Sequence, residues 1–150
     1  MIIRRANSQD FLSIACLDRK AWEKNRNSDF IPDGEHAWRL WVEFAIVFCA
    51  EINNEIVGAI LAFPCQNGKY CIHKVFVKSE ARGKGIGSKL FSSLLKEIDF
   101  LNAQSFLTVD PTNQDAISLY EKWGYTEKQF IEGFYRQNED RYLLTRQPAK

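Results

Sequence analysis

Residues 81 to 88, "ARGKGIGS", set glycine at positions 83, 85 and 87 behind Arg82 and beside Lys84. The chemistry open to such a stretch is anion binding. A helix N-terminus leaves its first backbone N–H groups without partners and carries the positive end of the helix dipole. Glycines there admit backbone angles closed to other residues and remove side chains that would hold an anion away. Arg82 and Lys84 add charge, so the stretch reads as a cradle for a phosphate or pyrophosphate. The nucleotide P-loop, G-x-x-x-x-G-K-S/T, is absent, because Lys84 comes too early and is followed by Gly85. A dinucleotide fingerprint begun at Gly83 would need glycine or a close substitute at Ser88, and "KSEA" separates the loop from the strand before it. A glycine-rich connection that only turns tightly is the plainer alternative.

The elements that must position this loop follow from patterning. "KYCIHKVFVK" reads as a strand leading into it, and Ile86, Leu90, Leu94 and Ile98 recur every four residues in a helix leading out. Upstream, "MIIRR" predicts a strand and "NSQDFLSIACLDRKAWEK" a helix capped by Asn7 or Ser8. A second helix from Glu35 to Phe44 would align Ala37, Trp38, Trp41 and Phe44 or Ala45. "FAIVFCAEINNEIVGAILAF" predicts two strands joined at "NN". Downstream come a strand in "SFLTVD", a helix in "NQDAISLYEKW" stopped by Gly124, and strands in "YTEKQFI" and "RYLLTR". Without repeat or linker, residues 1–150 read as one domain of mixed α/β layers.

Composition sets the bounds. The chain has 150 residues, 45% of them hydrophobic and 26% charged, as an ordinary globular domain does. A net charge of +1 gives no electrostatic case for a nucleic-acid or membrane partner. Cys16, Cys49, Cys65 and Cys71 lack the paired spacing of a zinc or redox motif, so they predict reduced, buried thiols, no metal and a cytoplasmic location. The start turns charged at once, and the longest apolar run, near "FAIVFCA", is too short to span a bilayer.

Arg82, Gly85 and Gly87 fit the Q/R-x-x-G-x-G/A pyrophosphate loop of the GNAT superfamily of acyl-CoA N-acyltransferases. The loop follows "VFV" and opens a long amphipathic helix, as it does in that family. A second stretch, "NQDAISLYEKWGY", is similar to the family's N-x-x-A-I/L-x-L/F-Y-E-K/R-x-G-F/Y at Asn113, Ala116, Ile117, Leu119, Tyr120, Glu121, Lys122, Gly124 and Tyr125. The resemblance runs from about Lys69 to Tyr125. It implies the GNAT fold: a mixed, mostly antiparallel, curved sheet flanked by helices, with a V-shaped splay between the "VFV" and "LTV" strands that admits acetyl-CoA.

The resemblance also implies roles. Cofactor contacts fall at Phe76, Val77, Asn113, Tyr120 and the loop Arg82, Gly83, Lys84, Gly85, Ile86, Gly87 and Ser88. The Val77 backbone N–H would meet the developing oxyanion, and Tyr120 would protonate the departing thiolate, although a tyrosine packed on its helix is the simpler reading. Asn113 serves equally well as a helix cap. An alkylamine with a pKa of about 10.4 needs a base, and His73 is the candidate. Strand alternation puts His73 on the face of Cys71, Val75 and Val77, roughly 13 Å from Val77 at about 3.3 Å per residue, so it would act through water. A histidine packed in the core is the alternative, and His36 and Glu35 are weaker candidates.

The expected activity is direct transfer of an acetyl group from acetyl-CoA to a primary amine in a ternary complex. The acceptor is a small, polyamine-like molecule or a peptide N-terminus. Asp29, Asp33 and Glu35 would draw a cationic amine, and "FYRQNEDRYLL" resembles the tail of the branch acting on protein N-termini. A non-catalytic acyl-CoA-binding regulator is the rival reading, and the sequence leaves a homodimer open.

Overall fold

The computed structural model describes residues 1–24 and 31–150, so the Asp29 expectation lies outside the described residues. Among the described residues four helices and seven strands follow in the order β1 (Ile2–Arg5), α1 (Phe11–Lys24), α2 (Glu35–Phe44), β2 (Ile46–Ile52), β3 (Glu55–Pro64), β4 (Tyr70–Val77), α3 (Ile86–Phe100), β5 (Ser105–Val109), α4 (Gln114–Lys122), β6 (Tyr125–Ile131) and β7 (Arg141–Arg146). A single 3-10 turn, Ser79–Ala81, lies between β4 and α3. The strands bond in the order β1-β2-β3-β4-β5-β7-β6. The β1–β2, β2–β3, β5–β7 and β6–β7 pairs are antiparallel and β4–β5 is parallel. The parallel ladder pairs Tyr70 with Ser105 and Cys71 with Phe106. No helix among the described residues is long and apolar enough to cross a membrane.

The chain divides into two compact units. The first comprises Met1–Phe63 and Lys74–Glu97, and its core gathers Ile14, Trp38, Val47, Cys49, Leu61 and Phe76. Trp38 is fully buried and meets Trp41 and Phe76 edge to face, with centroids 5.2 and 5.9 Å away. Trp38, Val42 and the following Ala45 are buried with Trp41 packed against the same core, whereas Phe44 is 69% exposed, so of the two expected ends of the stripe Ala45 is the one that faces inward. At α1 the cap expectation also changes. Asn7 Oδ1 accepts from the Gln9 N–H and closes a local turn, and the first helical bond runs from Ile14 N–H to Asp10 O. Asn side chains compete in this way for nearby backbone groups, which delays the helix. The "NN" hairpin forms as read, with Asn53 and Asn54 both left-handed (φ 52° and 65°), as the tightest hairpin turn demands.

The second unit comprises Pro64–His73 and Ile98–Lys150. Arg146 of β7 organises it, donating through Nη1 and Nη2 to Asp99 at 2.7 and 3.0 Å and through Nε to the Trp123 carbonyl at 2.8 Å. Those bonds hold the Asp99 carboxyl below the usual carboxylate range. Gly124 ends α4 in a left-handed turn (φ 100°) against the same arginine, where an added Cβ would lie 3.2 Å from Nε. The helix stop is therefore also a packing site.

Candidate active site

The loop read first in the sequence sits where β4 ends and α3 begins. The Lys78 N–H donates to the Val57 carbonyl at 2.7 Å and ties the strand end to β3. Ala81 is buried at the close of the 3-10 turn, and Arg82 turns back to donate from Nε to the Val77 carbonyl at 3.2 Å. Gly83 and Gly85 are left-handed (φ 83° and 75°), and an added Cβ at either would meet nothing within 4 Å. The first bond of α3 runs from Lys89 N–H to Gly85 O, which leaves the N–H groups of residues 86–88 ahead of the helical ladder. Open space above two left-handed glycines, next to those N–H groups, suits a phosphate-bearing group.

Gly87 differs from the expectation. Its φ is not positive, and an added Cβ would lie 3.9 Å from Val77 Cγ2, an ordinary contact, so neither backbone angle nor packing requires a glycine there. Gly58 on β3, which sequence reasoning missed, matters more. An added Cβ there would lie 3.0 Å from the Phe76 carbonyl oxygen, 3.3 Å from Leu90 Cδ1 and 3.4 Å from Val77 Cγ2. The end of β4 thus runs close over a bare backbone. A glycine inside an apolar strand run was the available signal.

On β4 the alternation is as read: Ile72, Lys74 and Phe76 are buried, and His73 and Val75 are exposed. His73 is therefore no core histidine. The buried member that sequence reading passed over is Lys74, whose side chain is 4% exposed and bonded to Asp18 and Asp33. Phe76, Val77 and Arg82 share the wall of a cavity of about 230 Å³ with residues of α1. The first unit thus gathers Phe76, Val77 and residues 82–88, and the second carries His73, Asn113 and Tyr120.

In that second unit Asn113 caps α4, accepting at Oδ1 from the Ala116 N–H at 3.2 Å. Two residues before the helix ends, Tyr120 is half-buried with its ring edge to face with Tyr125, centroids 6.4 Å apart. Burial raises the Tyr120 phenol pKa above its ordinary value. The Tyr125 hydroxyl bonds Ser105 Oγ at 2.9 Å, and burial raises its pKa as well. In the β6–β7 connection the Tyr135 hydroxyl bonds Thr108 Oγ1 of β5 at 2.8 Å.

Asp33 and Glu35, expected to face a cation, have partners elsewhere: Asp33 bonds Lys74 and Glu35 bonds Arg19. In the β6–β7 connection the buried Glu139 pairs with Arg136 and Arg141, and Asp140 accepts from the Gly133 N–H. His36 is exposed on α2. Burial pushes the Cys49 thiol up to about 11 and the Cys71 thiol to about 12, so neither ionises readily as a nucleophile.

A mixed sheet of this kind flanked by helices matches solved structures of GNAT acetyltransferases over nearly the whole chain. Residues 11–125 match the model of the acetyltransferase (GNAT) family. The chain belongs to that family and is an N-acetyltransferase. The N-alpha-acetyltransferase of Saccharolobus solfataricus is 27% identical over 157 residues, spanning 96% of this chain and 91% of its own. Among solved structures, the ribosomal-protein-alanine N-acetyltransferase from Brucella melitensis matches with a TM-score of 0.80 at 20% identity, covering 98% of this chain and 99% of its own. Naa50 of Arabidopsis thaliana, in complex with the bisubstrate analogue CoA-Ac-MVNAL, matches with a TM-score of 0.73 at 22% identity, covering 97% of each chain. Those two structures share the fold.

Proposed function

We propose that this chain transfers an acetyl group from acetyl-CoA to the N-terminal amine of a peptide or protein, as a single cytoplasmic domain over residues 1–150. The observation that carries the reading is the β4–α3 loop, with two left-handed glycines beneath open space and three helix-start N–H groups beside them. Acetyl-CoA, when bound, supplies a thioester already activated toward attack by an amine.

The chain's own residues then have four tasks. The N–H groups of residues 82–88 hold the diphosphate, with Arg82 and Lys84 as supporting charges. The Val77 N–H donates to the carbonyl oxygen on which negative charge develops. Tyr120, whose phenol is protonated through the neutral range and is held above its ordinary pKa by burial, has a proton to give to the departing sulfur. His73, on the exposed face of β4, accepts the acceptor's ammonium proton through water, and the neutral amine then attacks in a ternary complex. Asn113 caps α4 and so holds Tyr120 in register.

Two observations favour a peptide acceptor over a polyamine. Asp33, Glu35, Glu139 and Asp140 already have partners within the fold, which weakens the case for a polycation site. A relative spanning nearly the whole chain is named an N-alpha-acetyltransferase. The test is thiol release from acetyl-CoA with short N-terminal peptides against polyamines, amino acids and aminoglycosides. Release with peptides supports the proposal, and release with polyamines alone refutes the acceptor. Tight CoA binding without release under any acceptor would instead favour a regulator.

A further inference from the structure

Lys74 of β4 and Asp18 of α1 meet inside the first unit with side chains 4% and 0% exposed. The single ammonium group reaches both Asp18 oxygens at 2.8 and 2.9 Å, Asp33 Oδ2 at 2.9 Å and the Ile31 carbonyl at 2.8 Å. Asp18 also accepts from the Asp33 N–H at 2.9 Å and from Trp38 Nε1 at 3.0 Å. One knot therefore ties α1, the approach to α2, Trp38 and β4 together.

Stability does not account for such a knot. Stripping water from two charges costs several kcal/mol per ion, and apolar groups of similar volume often stabilise a fold as well or better. What the ions add is direction, because each bond holds its heavy atoms within a narrow range of distance while apolar contacts slide. The elements so fixed are the two walls of the 230 Å³ cavity. Leu17 and Ala21, beside Asp18 and one turn beyond it, line one wall, and Phe76, on the buried face of β4 with Lys74, lines the other with Val77 and Arg82.

We propose that the Asp18–Lys74 pair is a positioning device that sets the separation of α1 from the end of β4, and with it the width of the cleft that receives CoA at Val77 and Arg82. The inference rests on the assignment of the β4–α3 loop to CoA. Lys74 is a positioning residue, acting through the walls it joins.

The test measures CoA dissociation constants by calorimetry, well below the melting temperature, for the wild type, D18N/K74M and K74R, with thermal melts alongside. D18N/K74M removes both charges and keeps an amide oxygen for Trp38 and the Asp33 N–H. A positioning role predicts a folded double variant whose CoA binding is weaker by about tenfold, as a cleft no longer held to its geometry loses pre-organised contacts. Binding within about twofold of wild type in that folded variant would overturn the proposal, since a purely structural pair leaves affinity intact. If the double variant does not fold, K74R decides, because it keeps the charge but cannot bring one nitrogen to four oxygens. Weaker binding by K74R supports the device, and unchanged binding overturns it. A wild type without CoA affinity would refute the loop assignment itself, and the device with it, before any variant is compared.

Discussion

Gly58→Ala tests how closely the end of β4 is set. The new methyl would stand 3.0 Å from the Phe76 carbonyl oxygen, where ordinary contact begins near 3.4 Å. The oxygen belongs to the Phe76–Val77 peptide unit, so relieving the clash moves the Val77 N–H by a few tenths of an ångström. Leu90 Cδ1 and Val77 Cγ2, at 3.3 and 3.4 Å, leave little room for β3 to move instead. Overpacking of this kind costs about 1–3 kcal/mol. In a domain of this size that lowers Tm by about 2–4 °C for each kcal/mol. Losing one oxyanion donor outright costs about 10²–10³ in kcat, and a 1 Å misplacement about 10², so a partial shift predicts a loss of about tenfold. The assay is steady-state thiol release at saturating acetyl-CoA on a sample shown folded by circular dichroism, with CoA affinity measured separately. A fall in Tm with kcat unchanged would refute the link between Gly58 and the Val77 N–H.

Gly85→Val should weaken CoA binding by at least about tenfold, because a β-branched residue is strained by about 1–2 kcal/mol at φ 75° and its side chain fills the open space over the loop. Unchanged affinity would remove the cradle assignment. Tyr120→Phe should lower kcat by about 10²-fold with little change in CoA affinity, as loss of a general acid does, and equal turnover at every pH would discard the role. His73→Ala should lower kcat while leaving CoA affinity intact, and an unaltered pH–rate profile would leave that residue without a part in proton transfer. The Cys49 and Cys71 thiols ionise near 11 and 12 in the fold against 9.0 unfolded, so the stability they contribute is present below pH 9 and is lost as pH rises through 9 to 12. Chemical denaturation across that range should show the decline, and Cys49→Ala/Cys71→Ala should lessen it.

Short-range patterns carried most of what could be read without coordinates. The glycine loop, the paired asparagines and the four-residue spacing of Ile86, Leu90, Leu94 and Ile98 each depend on backbone angles or on one helix face, and neighbours in the chain decide those. The two faces of β4 were legible for the same reason. Which face is buried was not, because that depends on α1 and α2 arriving over Lys74 and Phe76, so a buried lysine reversed the ordinary preference of its residue type. Asp33 and Glu35 read as free acids until Lys74 and Arg19 came within reach. Gly58 needed the packing of Phe76 and Val77 to explain it. The sequence by itself determined the elements, their order and the glycine loop, all set by contacts a few residues apart. Only the tertiary structure decided the charge partners, the Asp18–Lys74 knot and the bare backbone under Val77, since each joins residues tens of positions apart that meet only when the core closes.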